Sequence, residues 1–191
     1  TQHMVDKYGM DEVKKWYFEV WNEPDYPGFW NNTDMPAYYT LYDNTVDALT
    51  AVIPEVLVGG PSTTNAGPVS AFLAHVKSAN KRGSFVSSHV YPGGSNTGTS
   101  ADAASLVSDN NSRVSAITSN GYTTAAVKSF TTEWTSSYSG QGGGTGNVVV
   151  SMDNHWNVGF ILKGVKLMSD KNSGDTPAIE IFSYWALTDV F

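Results

Sequence analysis

Short apolar runs alternate along the chain with longer stretches whose apolar residues recur every three or four positions. This is the pattern of successive β/α units built on a parallel sheet. The first run, Trp16-Tyr17-Phe18-Glu19-Val20-Trp21, is aromatic and β-branched; it follows a polar amphipathic stretch around Asp11 to Lys15 and ends at Asn22-Glu23-Pro24. A helix is predicted from about Pro36 to Val52, with Pro36 in its first turn and Tyr39, Tyr42, Val46 and Leu49 in a stripe that faces a sheet. The second strand, Glu55 to Gly60, stops at Pro61-Ser62, and the next helix starts near Pro68, carries Val69, Phe72, Leu73 and Val76 on one face and is closed by Gly83. A third strand, Phe85 to Tyr91, ends at Pro92-Gly93-Gly94 and precedes a Ser/Ala-rich helix over roughly Ala101 to Ser119, stopped by Gly121. The fourth strand, Ala126 to Thr132, runs into Glu133-Trp134 and a Gly-rich loop from Ser139 to Gly144, expected to be mobile. A helix over about Asn147 to Ser169 and a fifth strand, Ala178 to Trp185, complete the order.

Composition narrows what such an α/β chain can do. With 191 residues, 40% hydrophobic and 13% aromatic, it can bury a core, and no repeat, charge block or linker divides it, so residues 1–191 read as one unit. Asp and Glu number 18 against 11 Lys and Arg, a net charge of −7 with a pI near 4.9. Nucleic acid and anionic membranes both demand a basic surface, so neither is expected as a partner. The absence of cysteine removes disulfides, thiolate nucleophiles and Cys-containing zinc sites. Only 15% of positions are charged, with Ser, Thr, Asn and Gly in their place, which resembles secreted polymer-degrading proteins and favours an extracellular location. The start, Thr1-Gln2-His3-Met4-Val5, is not a signal peptide and reads as that of a processed, trimmed or partial chain.

The unusual residues cluster at strand ends, where parallel α/β folds place their sites: Asn22-Glu23 after the first, His89-Val90-Tyr91 at the third, Glu133-Trp134 after the fourth and Tyr184-Trp185 at the fifth. Two glutamates among them suit glycosidic hydrolysis through a covalent intermediate. That reaction needs two carboxyl groups about 5 to 5.5 Å apart, one neutral to protonate the leaving oxygen and one ionised to attack the anomeric carbon. Glu19, Glu55 and Glu180 read instead as solvated surface carboxylates. His89 reads either as a ligand contact or as a core histidine bonded to backbone, and His3, His75 and His155 lack metal-ligand spacing, so neither metal nor cofactor is implied. The stretch Gly140 to Gly146 lacks the Gly-Lys-Ser/Thr ending of a phosphate loop. Asn31-Asn32-Thr33 and Asn110-Asn111-Ser112 fit the glycosylation sequon.

The stretch from Trp16 to Pro24 resembles the acid/base strand of the retaining glycoside hydrolases of clan A, most of all family 39, the β-xylosidase and α-L-iduronidase group. Phe29-Trp30, Gly59-Gly60-Pro61, Ser88 to Pro92, Thr132-Glu133-Trp134, Tyr184-Trp185 and Asp189-Val190-Phe191 carry the likeness in order and spacing over essentially the whole chain. The resemblance implies strands four to eight of a (β/α)8 TIM-type barrel: a partial barrel of about five β/α units without the first three. It implies Glu23 as general acid/base and Glu133 as nucleophile, with Asn22 on the sugar 2-hydroxyl, Tyr91 donating to Glu133 and His89 binding sugar or tuning a carboxyl. Trp134 and Trp185, with Trp30 more remotely, would wall the sugar. Five strands cannot close an eight-stranded barrel, so the open edges predict self-association, as a dimer. Two function classes follow: a retaining β-glycosidase acting on a β-xyloside or related β-glycoside, and a carbohydrate-binding or inactive fragment.

Overall fold

The computed structural model describes residues 1–93, 101–138, 155–172 and 181–185. Two short helices, α1 (Gln2–Tyr8) and α2 (Met10–Val13), lead into β1 (Tyr17–Glu19). After a 3-10 turn at Asn31–Thr33 come α3 (Met35–Val52), β2 (Leu57–Thr63), α4 (Val69–Ser78), β3 (Phe85–Val90), α5 (Ala104–Ser119), β4 (Lys128–Trp134), α6 (His155–Asn172) and β5 (Ile181–Tyr184). The strands form one parallel sheet in the order β1-β2-β3-β4-β5. Spatial order follows chain order without reversal, so every crossover steps the same way, as in a barrel and unlike a doubly wound sheet. The molecule is half of such a barrel.

Most predicted elements form, and the differences have local causes. β1 is shorter than its apolar run because Trp21 takes a left-handed φ of 67°, although Val20 N still donates to the Gly59 carbonyl. β2 runs past Pro61-Ser62 to Thr63: Ser62, at φ 53°, forms an irregularity between Pro61↔Ser87 and Thr63↔Ser88 that carries the pairing on. α4 stops before Gly83, at the turn around Asn80, whose φ is 52°. The predicted Gly-rich loop from Ser139, the start of the sixth helix before His155, the first part of the fifth strand with Glu180, and Asp189-Val190-Phe191 lie outside the described residues.

The core sits between the sheet and its helices. α3 buries Tyr38, Tyr42, Val46 and Leu49, one step round from the expected stripe; Tyr39 is only partly buried and stacks on His75 at 4.4 Å. α4 buries the predicted Val69, Phe72, Leu73 and Val76 against Val58 and Val86. Complete burial of Phe72 alone stabilises the fold by roughly 1.5–3 kcal/mol. The two buried tyrosines end in hydrogen bonds, Tyr38 to the Val20 carbonyl at 3.0 Å and Tyr42 to the Arg82 carbonyl at 2.8 Å, and burial pushes both phenols up in pKa. Gly60 makes room for the first of these, since a Cβ there would lie 2.6 Å from the Tyr38 hydroxyl. A second cluster gathers Val90, Leu106, Trp134, Phe160 and Met168, with Phe182 stacked on Trp134 at 4.1 Å.

Behind β3 and β4 a fully buried Arg113 reaches from α5, donating to Ser129 Oγ at 2.8 Å, Thr131 Oγ1 at 2.6 Å, and the Ser88 hydroxyl and Asp109 carboxylate. Asp109 also accepts from Ser88 Oγ at 2.8 Å and from the Ala66 amide at 3.0 Å. The charge is thus compensated inside the protein, the condition for burying an ion pair at all. Asn110, in one of the two sequons, is wholly buried and accepts from Ser129 Oγ at 2.8 Å, so it offers no surface for a glycan.

Candidate active site

Strand alternation sends Tyr17, Glu19, Phe85, Ser87, His89 and Phe130 to the face away from the helices. At the carboxyl end of that face the backbone leaves ordinary conformations three times, at Trp21 (φ 67°), Glu23 (φ 44°) and Ser62 (φ 53°). Each such residue costs on the order of 1–3 kcal/mol and persists only where its surroundings impose it. Here they do. Glu23 N donates to the Ser62 carbonyl at 2.9 Å, and the Asp25 carboxylate accepts from Thr64 N at 3.0 and 3.1 Å and from Thr64 Oγ1 at 2.6 Å. The loops after β1 and β2 are therefore stapled together, and the turn between them aims Glu23 inward.

Glu23, His89 and Glu133 meet there. His89 Nδ1 lies 2.7 Å from Glu23 Oε1 and 3.3 Å from Glu133 Oε2, while its Nε2 lies 3.0 Å from the Ser62 hydroxyl. Tyr91 donates its hydroxyl to Glu133 Oε2 at 2.7 Å. The His89 side chain is inaccessible to solvent, whereas Glu23 and Glu133 keep 13% and 21% of theirs exposed, so the imidazole backs two carboxylates that face outward. One donor atom from each of the three residues falls within 4.8 Å of the others, a spacing that could also grip a cation. Both imidazole nitrogens and Glu133 Oε2 are already engaged in hydrogen bonds.

The carboxylates open into a cavity of about 760 Å³ lined by Asn22, Glu23, Tyr26, Phe29, Thr64, Tyr91, Glu133, Tyr138 and Trp185. Of the residues singled out in the sequence, Asn22, Glu23, Tyr91, Glu133 and Trp185 lie on its wall, and His89 stands behind it. Trp134 and Trp30 do not line it. Trp134 is 1% exposed in the second hydrophobic cluster, and Trp30 donates Nε1 to the Asp34 carbonyl at 2.9 Å while meeting Trp21 and Tyr38 edge-on. Tyr26, Phe29, Thr64 and Tyr138 complete the wall, and of these only Phe29, beside Trp30, belongs to a motif that the sequence marks.

Glu19 is exposed to solvent, as the sequence leads one to expect, yet it points to the same face as Ser87 and His89 and its carboxyl is crowded by protein atoms on that face. The resulting desolvation pushes its pKa above the ordinary 4.5; a hydrogen bond from Ser87 and the proximity of His89 favour the ionised form and offset only part of that rise. A third carboxyl thus lies on the same face of the sheet, close to Ser87 and His89.

This geometry has clear relatives. A β-xylosidase of Caldicellulosiruptor saccharolyticus is 29% identical over 205 residues, covering 100% of this chain and 37% of that protein. Human α-L-iduronidase is 40% identical over 62 residues, 32% of this chain and 10% of its own length. A monomeric β-xylosidase of Caulobacter crescentus CB15 superposes with a TM-score of 0.81 at 30% identity, covering 98% of this chain and 37% of that one. The chain thus spans little more than a third of the β-xylosidases it matches. The model of the glycosyl hydrolases family 39 matches residues 1–191, and the chain belongs to that family.

Proposed function

We propose that this chain carries the catalytic pair of a retaining β-glycosidase acting on β-xylosides or closely related neutral β-glycosides, with Glu23 as acid/base and Glu133 as nucleophile. The observation that carries the reading is the approach of the two carboxyl groups, whose facing oxygens lie within 4.8 Å of one another. Inverting enzymes hold theirs about 6.5–9.5 Å apart to admit a water, and retaining enzymes about 5–5.5 Å. The hydrogen-bond pattern supports the division of labour. Tyr91 donates its hydroxyl to Glu133 Oε2 and holds that carboxyl in place for attack, while Glu23 stands across the gap on the turn after β1.

In this reading Glu133 Oε attacks the anomeric carbon while the glycosidic C–O bond breaks and Glu23 delivers its proton to the departing oxygen. A covalent glycosyl ester results and Glu23 is left ionised. Glu23 then takes a proton from water as that water attacks the same carbon, releasing the sugar with its configuration kept and restoring both carboxyls. Asn22, on the cavity wall beside Glu23, is placed for the sugar 2-hydroxyl, and Trp185 offers an apolar surface.

The substrate class follows from the lining. Among the described residues no Lys or Arg borders the cavity, so a uronate carboxylate would find no cationic partner there, while a neutral xylose would lose nothing. Hydrolysis of aryl β-xylosides, β-glucosides and β-galactosides by the purified chain tests the reading. Xyloside turnover that vanishes in both Glu23→Gln and Glu133→Gln, with azide restoring Glu133→Ala and giving the inverted product, is the expected result. Sugar affinity without turnover, unaffected by either change, would replace it with the carbohydrate-binding reading.

A further inference from the structure

Two aromatic rings on the cavity wall pack into neither hydrophobic cluster of the described residues. Tyr26 and Phe29 are 48% and 52% exposed, although burying rings of this size is among the largest favourable terms open to a chain. They are nevertheless fixed. Tyr26 N donates to the Glu23 carbonyl and Phe29 N to the Tyr26 carbonyl, both at 3.0 Å, and Trp21 Nε1 donates to the Phe29 carbonyl at 3.2 Å. The two rings meet edge-to-face at 5.6 Å. Gly28 permits this: a Cβ there would lie 2.5 Å from Tyr26 Cε1 and push the ring away.

Their place relative to the carboxyls sets what they can touch. Both rings sit on the turn that begins at Glu23, whereas Tyr138 and Trp185 follow the strands on the Glu133 side. The group attached to the oxygen that Glu23 protonates lies next to Glu23, so a ring carried by that oxygen falls beside Tyr26 and Phe29. We propose that Tyr26 and Phe29 form a leaving-group platform that takes a flat or pyranose ring attached to the glycosidic oxygen: an aryl group or a second sugar. This inference rests on Glu23 being the acid.

The test uses two β-xylosides whose sulfur linkage resists cleavage, methyl and phenyl 1-thio-β-xyloside, titrated calorimetrically into the whole chain and into its Tyr26→Ala, Phe29→Ala and Tyr26→Phe variants. The phenyl compound is expected to bind about tenfold more tightly than the methyl one, which is the scale of one or two aromatic contacts. Either alanine variant should bring that ratio close to one while leaving the methyl affinity unchanged, and Tyr26→Phe should keep it. Both rings are exposed, so the alanine variants should fold, and unchanged melting temperatures would verify that. A phenyl preference that survives both alanine changes overturns the platform and leaves the assignment of the carboxyls standing. Failure of the wild-type chain to bind either compound overturns both.

Discussion

Glu23 and Glu133 reach the same imidazole by opposite means. Glu133 stands inside β4, paired with His89, but at an irregularity: the register against β3 shifts between Ser88 and His89, leaving Thr132 over, and the register against β5 shifts between Thr131 and Trp134. Glu23 lies beyond the end of a three-residue strand, on left-handed backbone, held by contacts from another loop. Under the proposed roles, the nucleophile is aimed by an irregularity inside a strand with neighbours on both sides, and the acid/base by a turn beyond the end of one. The two positions therefore fail in different ways.

The largest expected effect is on chemistry. With Glu133 in the proposed role of nucleophile, Glu133→Gln should lower turnover of every β-xyloside by at least about 10³-fold, because the glycosyl ester no longer forms. Glu23→Gln should cripple release of poor leaving groups while sparing release of fluoride from a glycosyl fluoride, which departs without a proton. Hydrolysis of the common glycosyl ester should slow alike, so the fluoride gives a burst followed by slow turnover. Equal losses in the rate of leaving-group release, measured before steady state on both kinds of substrate, would refute the assignment of roles.

Next comes the scaffold behind Glu133. Asp109→Ala leaves the Arg113 guanidinium buried without its counter-charge, which should cost about 3–5 kcal/mol of unfolding free energy in urea. Breaking the staple beside Glu23 should be milder. Asp25→Ala removes the acceptor for Thr64 N and Oγ1, a loss of about 1.5–3 kcal/mol, and should slow release of poor leaving groups more than release of fluoride. An equal slowing of both would mean that the staple supports the whole cavity and not Glu23 in particular.

The smallest effect belongs to Glu19. Its folded-state pKa is raised by desolvation, so the folded chain binds that proton more tightly than the unfolded one, and its contribution to stability falls as pH rises through and above about 4.5. Glu19→Gln, which cannot ionise, should match the wild type near pH 4 and melt at a higher temperature at pH 7. An equal difference at both values would show that Glu19 titrates like a surface carboxylate.

Much of this was legible before any coordinates. The helical stripes of α3 and α4 and the five strand positions follow from periodicity, and the strand-end glutamates stand out because glutamate beside Asn and Pro, or beside Trp, is uncommon at the end of an apolar run. Other features needed the third dimension. Adjacent residues of a strand point to opposite faces, so the side chains of Glu133 and Trp134 diverge, one into the cavity and one into the core. Counted from the inward-facing Phe130, however, strict alternation would send Glu133 to the core and Trp134 to the cavity; the register shift that leaves Thr132 over reverses this, and the sequence gives no sign of it. The continuation of β2 through Pro61 depended on an irregularity at Ser62 that no propensity scale encodes. The cavity aromatics at Tyr26 and Phe29 are invisible as such, because a ring in a short turn gives no sign of whether it meets a core or an opening.

The hydroxyl of Tyr38, resting on the Val20 carbonyl in the space that Gly60 leaves, links a helix without a single atom in the cavity to the turn that aims Glu23. Positions 38 and 60 are therefore not free to drift separately. A methyl group gained at 60 becomes tolerable once the oxygen at 38 is gone, and relatives that differ at one should differ at the other, a covariation that no contact with a sugar would explain.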